Sequence, residues 1–236
     1  MKQYESEHYV FNFNADSVAE KNILHIAKKQ ELCLSYICNV LQVSPNFKIK
    51  YFLCDSPEEV GEIYGDNDPC NGFAEAPDKV YAVYNDKVKC IGFHEDAHLI
   101  SYLIAANESP AIREGLAMFF DRQWWGIHNM EWTCYYLLTD RYQSISKMLD
   151  KDAFYEIDDF ISYPIVGSFT EWLISSFGIN NYIEFYKTTG STDAAFKLVY
   201  GKTAEELNDS FASYIRMFGI DKAVKERMEA LLTEEY

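Results

Sequence analysis

Two histidines four residues apart, His94 and His98, enclose Glu95-Asp96-Ala97 and give the pattern H-E-x-x-H. On a helix that spacing stacks both imidazoles on one face, within reach of one metal ion. Glu95, one step round from His94, can then face a water on that ion without being a ligand. A further carboxylate, Glu114, stands in Ile112-Arg113-Glu114-Gly115-Leu116-Ala117. Fifteen residues lie between His98 and Glu114, enough to finish one helix, turn and start another. Two histidines, one glutamate and an open fourth position make the donor set of a catalytic zinc site. The expectation is one Zn2+ held by His94, His98 and Glu114, with Glu95 as the general base of a hydrolase.

The same five-residue pattern also arises by chance on amphipathic helices, where it is a solvated polar stripe. Here Ile91, Phe93, Ala97, Leu99 and Ile100 make the helix apolar nearly all round. Imidazoles in such surroundings need partners, and a metal satisfies both. Asp96 fits less easily; a charge inside the motif is expected to turn away from the metal, toward solvent or a cation. Gly115 costs a helix about 1 kcal/mol against alanine, so it predicts a close approach of two helices beside Glu114.

The elements that must position these residues are legible as patterns. Tyr9 to Phe13 reads as a strand. Asp16 or Ser17 caps a long helix to about Val43, with Ile23, Ile26, Ala27, Leu34, Ile37, Val40 and Leu41 at helical spacing. His25 lies near that apolar face and reads as a packed core histidine. Phe47 to Leu53 and Lys79 to Tyr84 are further strands. Ser56-Pro57 opens a short helix, and Asp66 to Gly72 is a loop. The metal helix is expected from Val88 to Ala106. After it everything reads as helix: one from Ser109-Pro110, an aromatic and mostly helical stretch from Trp124 to Tyr142 with a turn region over Gly126-Asn129, one opening at Tyr163-Pro164 and closing at Gly178, and a short one ending near Gly190. Thr203-Ala204-Glu205-Glu206 is a capping box for a helix to Phe218 and Gly219, and Asp221 to about Leu232 is the last helix. His128 reads as a surface or packing residue. The class is α+β: one catalytic domain with an α+β lobe over 1–106 and a helical lobe over 107–236.

The totals exclude several alternatives. The chain has 236 residues, 48% of them hydrophobic, enough to bury a core without disulfides. A net charge of −16 argues against nucleic acid as partner, since phosphate binding needs clustered Lys and Arg. Six cysteines without C-x-x-C pairing suit a reducing compartment. The first residues lack the apolar core of a signal peptide, and no stretch is long enough for a membrane span. The expected location is the cytoplasm, with a removed leader leaving no trace.

His94-Glu95-x-x-His98 followed by Glu114-Gly115-Leu116-Ala117 resembles the gluzincin zinc metallopeptidases, the peptidase MA-like group. Tyr163 to Leu173, Phe177-Gly178, Ala195-Phe196 and Tyr200 to Thr203 with Glu206-Leu207 are similar to that group's helical region. The resemblance implies a thermolysin-like fold, with a mixed sheet and long helix above the metal helix, a helical lobe below and a cleft between. It implies that Lys79 to Tyr84 is the sheet edge on which an extended peptide substrate pairs. It implies Tyr163 as hydrogen-bond donor to the oxyanion, beside Glu95 as general base and acid. The carboxylate that thermolysin carries four residues after its glutamate ligand is replaced by Met118, which leaves the outer partners of the histidines unassigned, with Asp121 as a candidate. A catalytically silent zincin-fold protein with a binding or regulatory role is the alternative.

Overall fold

The computed structural model describes residues 1–188 and 191–233. Gly190 and the acidic end after Thr233 therefore lie outside the described residues. The chain divides into two compact units, Met1–Ala105 and Ala106–Tyr236. The fold is α+β: one five-stranded mixed sheet, a two-stranded hairpin and, among the described residues, twelve helices. No helix of these residues is long and apolar enough to cross a membrane.

The first unit runs β1 (Lys2–Glu5), β2 (Tyr9–Phe13), α1 (Val18–Leu41), β3 (Ile49–Cys54), α2 (Pro57–Tyr64), β4 (Gly72–Glu75), β5 (Lys79–Val83) and α3 (His94–Ser101). Sheet order is β1-β2-β3-β5-β4, with β2, β3 and β5 parallel and both outer strands antiparallel. Alternation turns Tyr9, Phe11, Phe13, Ile49, Tyr51 and Leu53 into the core, each at most 3% exposed. Helix α1 begins where the Ser17 hydroxyl accepts from the Glu20 N–H, and buries Ile26, Ala27, Gln30, Cys33, Leu34, Ile37 and Leu41. It packs on β2 and α3, while α3 packs on β4 and β5.

Three sequence expectations are corrected here. The sheet edge is β4, not Lys79 to Val83, which lies between β3 and β4. Register explains how so short a strand is held: Phe73 and Phe52 face Tyr81 from either side, with ring centroids 4.8 and 4.7 Å away. His25 is exposed, because it precedes Ile26 by one step and so falls off the buried stripe of α1. The metal helix spans only His94–Ser101. Before it, the N–H groups are used elsewhere: Lys87 and Val88 donate to Asn85 Oδ1, and Cys90 donates to the Val83 carbonyl. After it, Leu103 and Ile104 bond three residues back, a tight turn and not a helix.

The second unit holds α4 (Pro110–Asp121), the hairpin β6 (Gln123–Trp124) and β7 (Ile127–His128), α5 (Asn129–Leu138), α6 (Ile145–Met148), α7 (Lys151–Tyr155), α8 (Asp159–Phe177), α9 (Ile179–Lys187), α10 (Thr192–Tyr200), α11 (Ala204–Ile215) and α12 (Lys222–Leu231). The hairpin occupies the expected turn region around Gly126, so the aromatic stretch from Trp124 is helical only over Asn129–Leu138. Helix α8 begins four residues before Tyr163, since the Asp158 side chain caps it by accepting from the Phe160 N–H. Pro164 thus lies inside the helix and has no N–H for the Phe160 carbonyl. The hydroxyl of Tyr136 donates to that carbonyl instead. The capping box at Thr203 and Glu206 forms as the sequence predicts.

Candidate metal centre

His94 and His98 occupy the first and fifth positions of α3, on one face, with ring centroids 4.9 Å apart and planes at 82°. Glu114 is the fifth residue of α4, in the second turn after Pro110. One ligand atom from each of the three lies within 4.8 Å of the others, and all three residues are half-buried. In a tetrahedral site with bonds of about 2.0–2.2 Å, ligand atoms stand about 3.4 Å apart. Two imidazoles with one carboxylate suit a borderline divalent ion. A His-His-Glu group able to hold a metal ion is therefore present.

Glu95 is 8% exposed. A Cβ on Gly72 would stand 3.3 Å from Glu95 Oε1 and 3.2 Å from Cys90 Sγ. The first residue of the edge strand thus lies against the carboxylate of Glu95, and a glycine there leaves room for it.

Asp96 is fully buried, which overturns the expectation of a solvent-facing charge. Its Oδ2 accepts from the hydroxyl of Tyr9 and from Gln30 Nε2 at 3.0 Å. Burial pushes its carboxyl up to about 8, against the lowering effect of the Tyr9 hydrogen bond. Gln30 uses the same Nε2 group to donate to the Gly92 carbonyl at 3.1 Å, and Lys29 donates to the Ile91 carbonyl. Side chains of α1 thereby hold both the lead-in to the metal helix and its first turn. Sequence spacing of the motif does not reveal Tyr9 or Gln30. The available signal was Gln30 itself, a polar side chain on the buried stripe of α1.

Around Glu114 the structure bears out the expected close approach at Gly115, and the neighbour is α8. A Cβ on Gly115 would stand 2.6 Å from Thr170 Oγ1 and 3.0 Å from the Val166 carbonyl. Met118 is fully buried, and its Cβ would be met at 2.6 Å by a side chain on Gly167. Asp121 closes α4 two turns beyond Glu114. Tyr163 is half-buried on α8, with Trp124 at 5.3 Å and Phe154 at 6.3 Å between ring centroids. His128 caps α5 by accepting from the Met130 N–H, and its Nε2 stands 3.7 Å from Glu171 Oε2 on α8. All six cysteines are free thiols.

A scan against protein-family models and a search of curated proteins find no match to the chain.

Proposed function

We propose that this chain is a zinc-dependent peptidase of the thermolysin-like, gluzincin type that its H-E-x-x-H and Glu114 segments resemble. The observation that carries the reading is the grouping of His94, His98 and Glu114, with Glu95 adjacent to the first of them. These three residues would hold the ion. Zinc bound there supplies a Lewis acid that polarises a carbonyl and lowers the pKa of a water.

The remaining steps belong to the chain. Glu95 takes the proton of the attacking water and delivers it to the leaving amine. Tyr163 is the candidate donor to the developing oxyanion. The peptide pairs along β4. Val83 donates to the Asn71 carbonyl in register with β5, so alternation turns the backbone groups of Gly72 and Ala74 to the free side. A backbone docked there runs past Glu95, which lies against Gly72.

A metal-holding protein without turnover is the second reading, and apolar packing of Met118 where thermolysin has a carboxylate favours it. Zinc analysis and hydrolysis of a mixed peptide library by wild type and Glu95→Gln separate the two. Peptidase chemistry predicts one zinc per chain in both proteins, and a rate roughly 100- to 10,000-fold lower in the variant. Hydrolysis unchanged in Glu95→Gln sinks the peptidase mechanism. Zinc without hydrolysis in the wild type supports the second reading.

A further inference from the structure

In the second unit, away from the metal ligands in sequence, a cavity of about 650 Å3 opens between α11, the end of α5 and the segment leading into α6. Helix α11 lines it with Asn208 and Ala212, and Arg216, which caps the end of the helix, continues the same four-residue spacing. Gln143, Ser144 and Lys147 line the opposite side. In a chain with 37 acidic and 21 basic side chains, this cavity inverts the ratio, holding Lys147 and Arg216 against Asp209 alone.

The neutral groups are oriented as donors. Asn208 Oδ1 accepts from the Tyr142 hydroxyl at 2.8 Å and from the Ile145 N–H at 3.0 Å. That fixes the amide and leaves Nδ2 with only a long contact of 3.4 Å to Asp209. The Ser144 oxygen accepts from the Lys147 N–H, which frees its proton to donate outward. Lys147 Nζ donates to Gln143 Oε1, and among the described residues the Arg216 guanidinium has no ion pair. Burial holds Tyr142 well above its ordinary value, so it stays a neutral phenol.

We propose that this cavity binds the phosphoryl group of a small phosphomonoester. A tetrahedral dianion with three outer oxygens accepts the planar fork of Arg216, the ammonium of Lys147, and the amide and hydroxyl donors of Asn208 and Ser144. The volume leaves space for a polar body beyond the phosphate.

The test is calorimetric titration of the full chain with O-phosphoserine at constant ionic strength, with serine and sodium acetate as controls. Binding of O-phosphoserine alone is expected. Arg216→Ala and Lys147→Ala, both at exposed positions, should each weaken it roughly tenfold or more, as loss of a charge-assisted contact implies. Asp209→Asn should strengthen it, because it removes the one opposing charge. Circular dichroism checks that each variant folds. No binding, or equal binding of acetate, overturns the site. Binding that survives Arg216→Ala and disappears in His94→Ala also overturns it, by placing the anion at the metal centre.

Discussion

Tyr9 donates its hydroxyl to Asp96, the residue directly after Glu95, and both side chains are wholly buried. A strand at the beginning of the chain therefore fixes the first turn of the metal helix. Tyr9→Phe keeps the ring and removes one of the two donors to a buried carboxyl, at a cost of about 1–3 kcal/mol. Asp96→Asn keeps an acceptor for Tyr9 and Gln30 and should cost less. Urea unfolding measures both, and competition with a chromophoric chelator should show weaker metal binding in Tyr9→Phe. A neutral Tyr9→Phe would remove the hydroxyl from any positioning role.

Gly115 lets α4 and α8 touch beside Glu114. Alanine there gains helix propensity of about 1 kcal/mol, but its Cβ would meet Thr170 Oγ1 at 2.6 Å and the Val166 backbone at 3.0 Å. Backbone cannot step aside as a side chain can, so Gly115→Ala should destabilise by about 1–3 kcal/mol. Adding Thr170→Ala removes the nearer clash only and should restore part of the loss. Thermal unfolding of the two single variants and the double variant decides it; a stabilised Gly115→Ala would contradict the packing.

What the sequence makes legible follows from which interactions are local. His94, His98 and Glu114 are readable because helical spacing brings the pair together and chemistry names the third ligand type. Ser17, Ser56 and Thr203 are readable because a cap is satisfied within three residues. The edge position of β4 is not, since four residues, Gly72 to Glu75, carry little pattern and are held by the cross-strand stack on Tyr81. The burial of Asp96 is illegible for the same reason. Its partners, Tyr9 and Gln30, are 87 and 66 residues away, and nothing near it in sequence shows that it is buried. Tyr163 on the second turn of α8 depended on Tyr136, whose hydroxyl lets the helix continue through Pro164.

Glu31 gives a pH dependence with a definite sign. Burial tends to raise its carboxyl, but hydrogen bonds from the Ser6 hydroxyl and the His8 backbone and ring outweigh it and hold the group below its ordinary 4.5. A depressed folded value means that the stabilisation is fully present above the unfolded value and lost as pH falls through the folded one. Glu31→Gln should therefore lower the urea midpoint at pH 7, and the gap from wild type should close on acidification below 4.5. A gap constant over that range would show that the carboxylate charge contributes nothing.

The contact between Tyr136 and Phe160 predicts a non-additive pair. Tyr136→Phe removes from the part-buried Phe160 carbonyl the donor that replaces the missing Pro164 N–H, at a cost of about 1 kcal/mol. Pro164→Ala returns an N–H one turn below that carbonyl. In the Pro164→Ala background, Tyr136→Phe should therefore cost less, because the helix can satisfy the carbonyl itself. A double-mutant cycle by chemical denaturation measures the difference. Strict additivity would mean that the hydroxyl acts only through packing, and that Pro164 is tolerated in α8 for another reason.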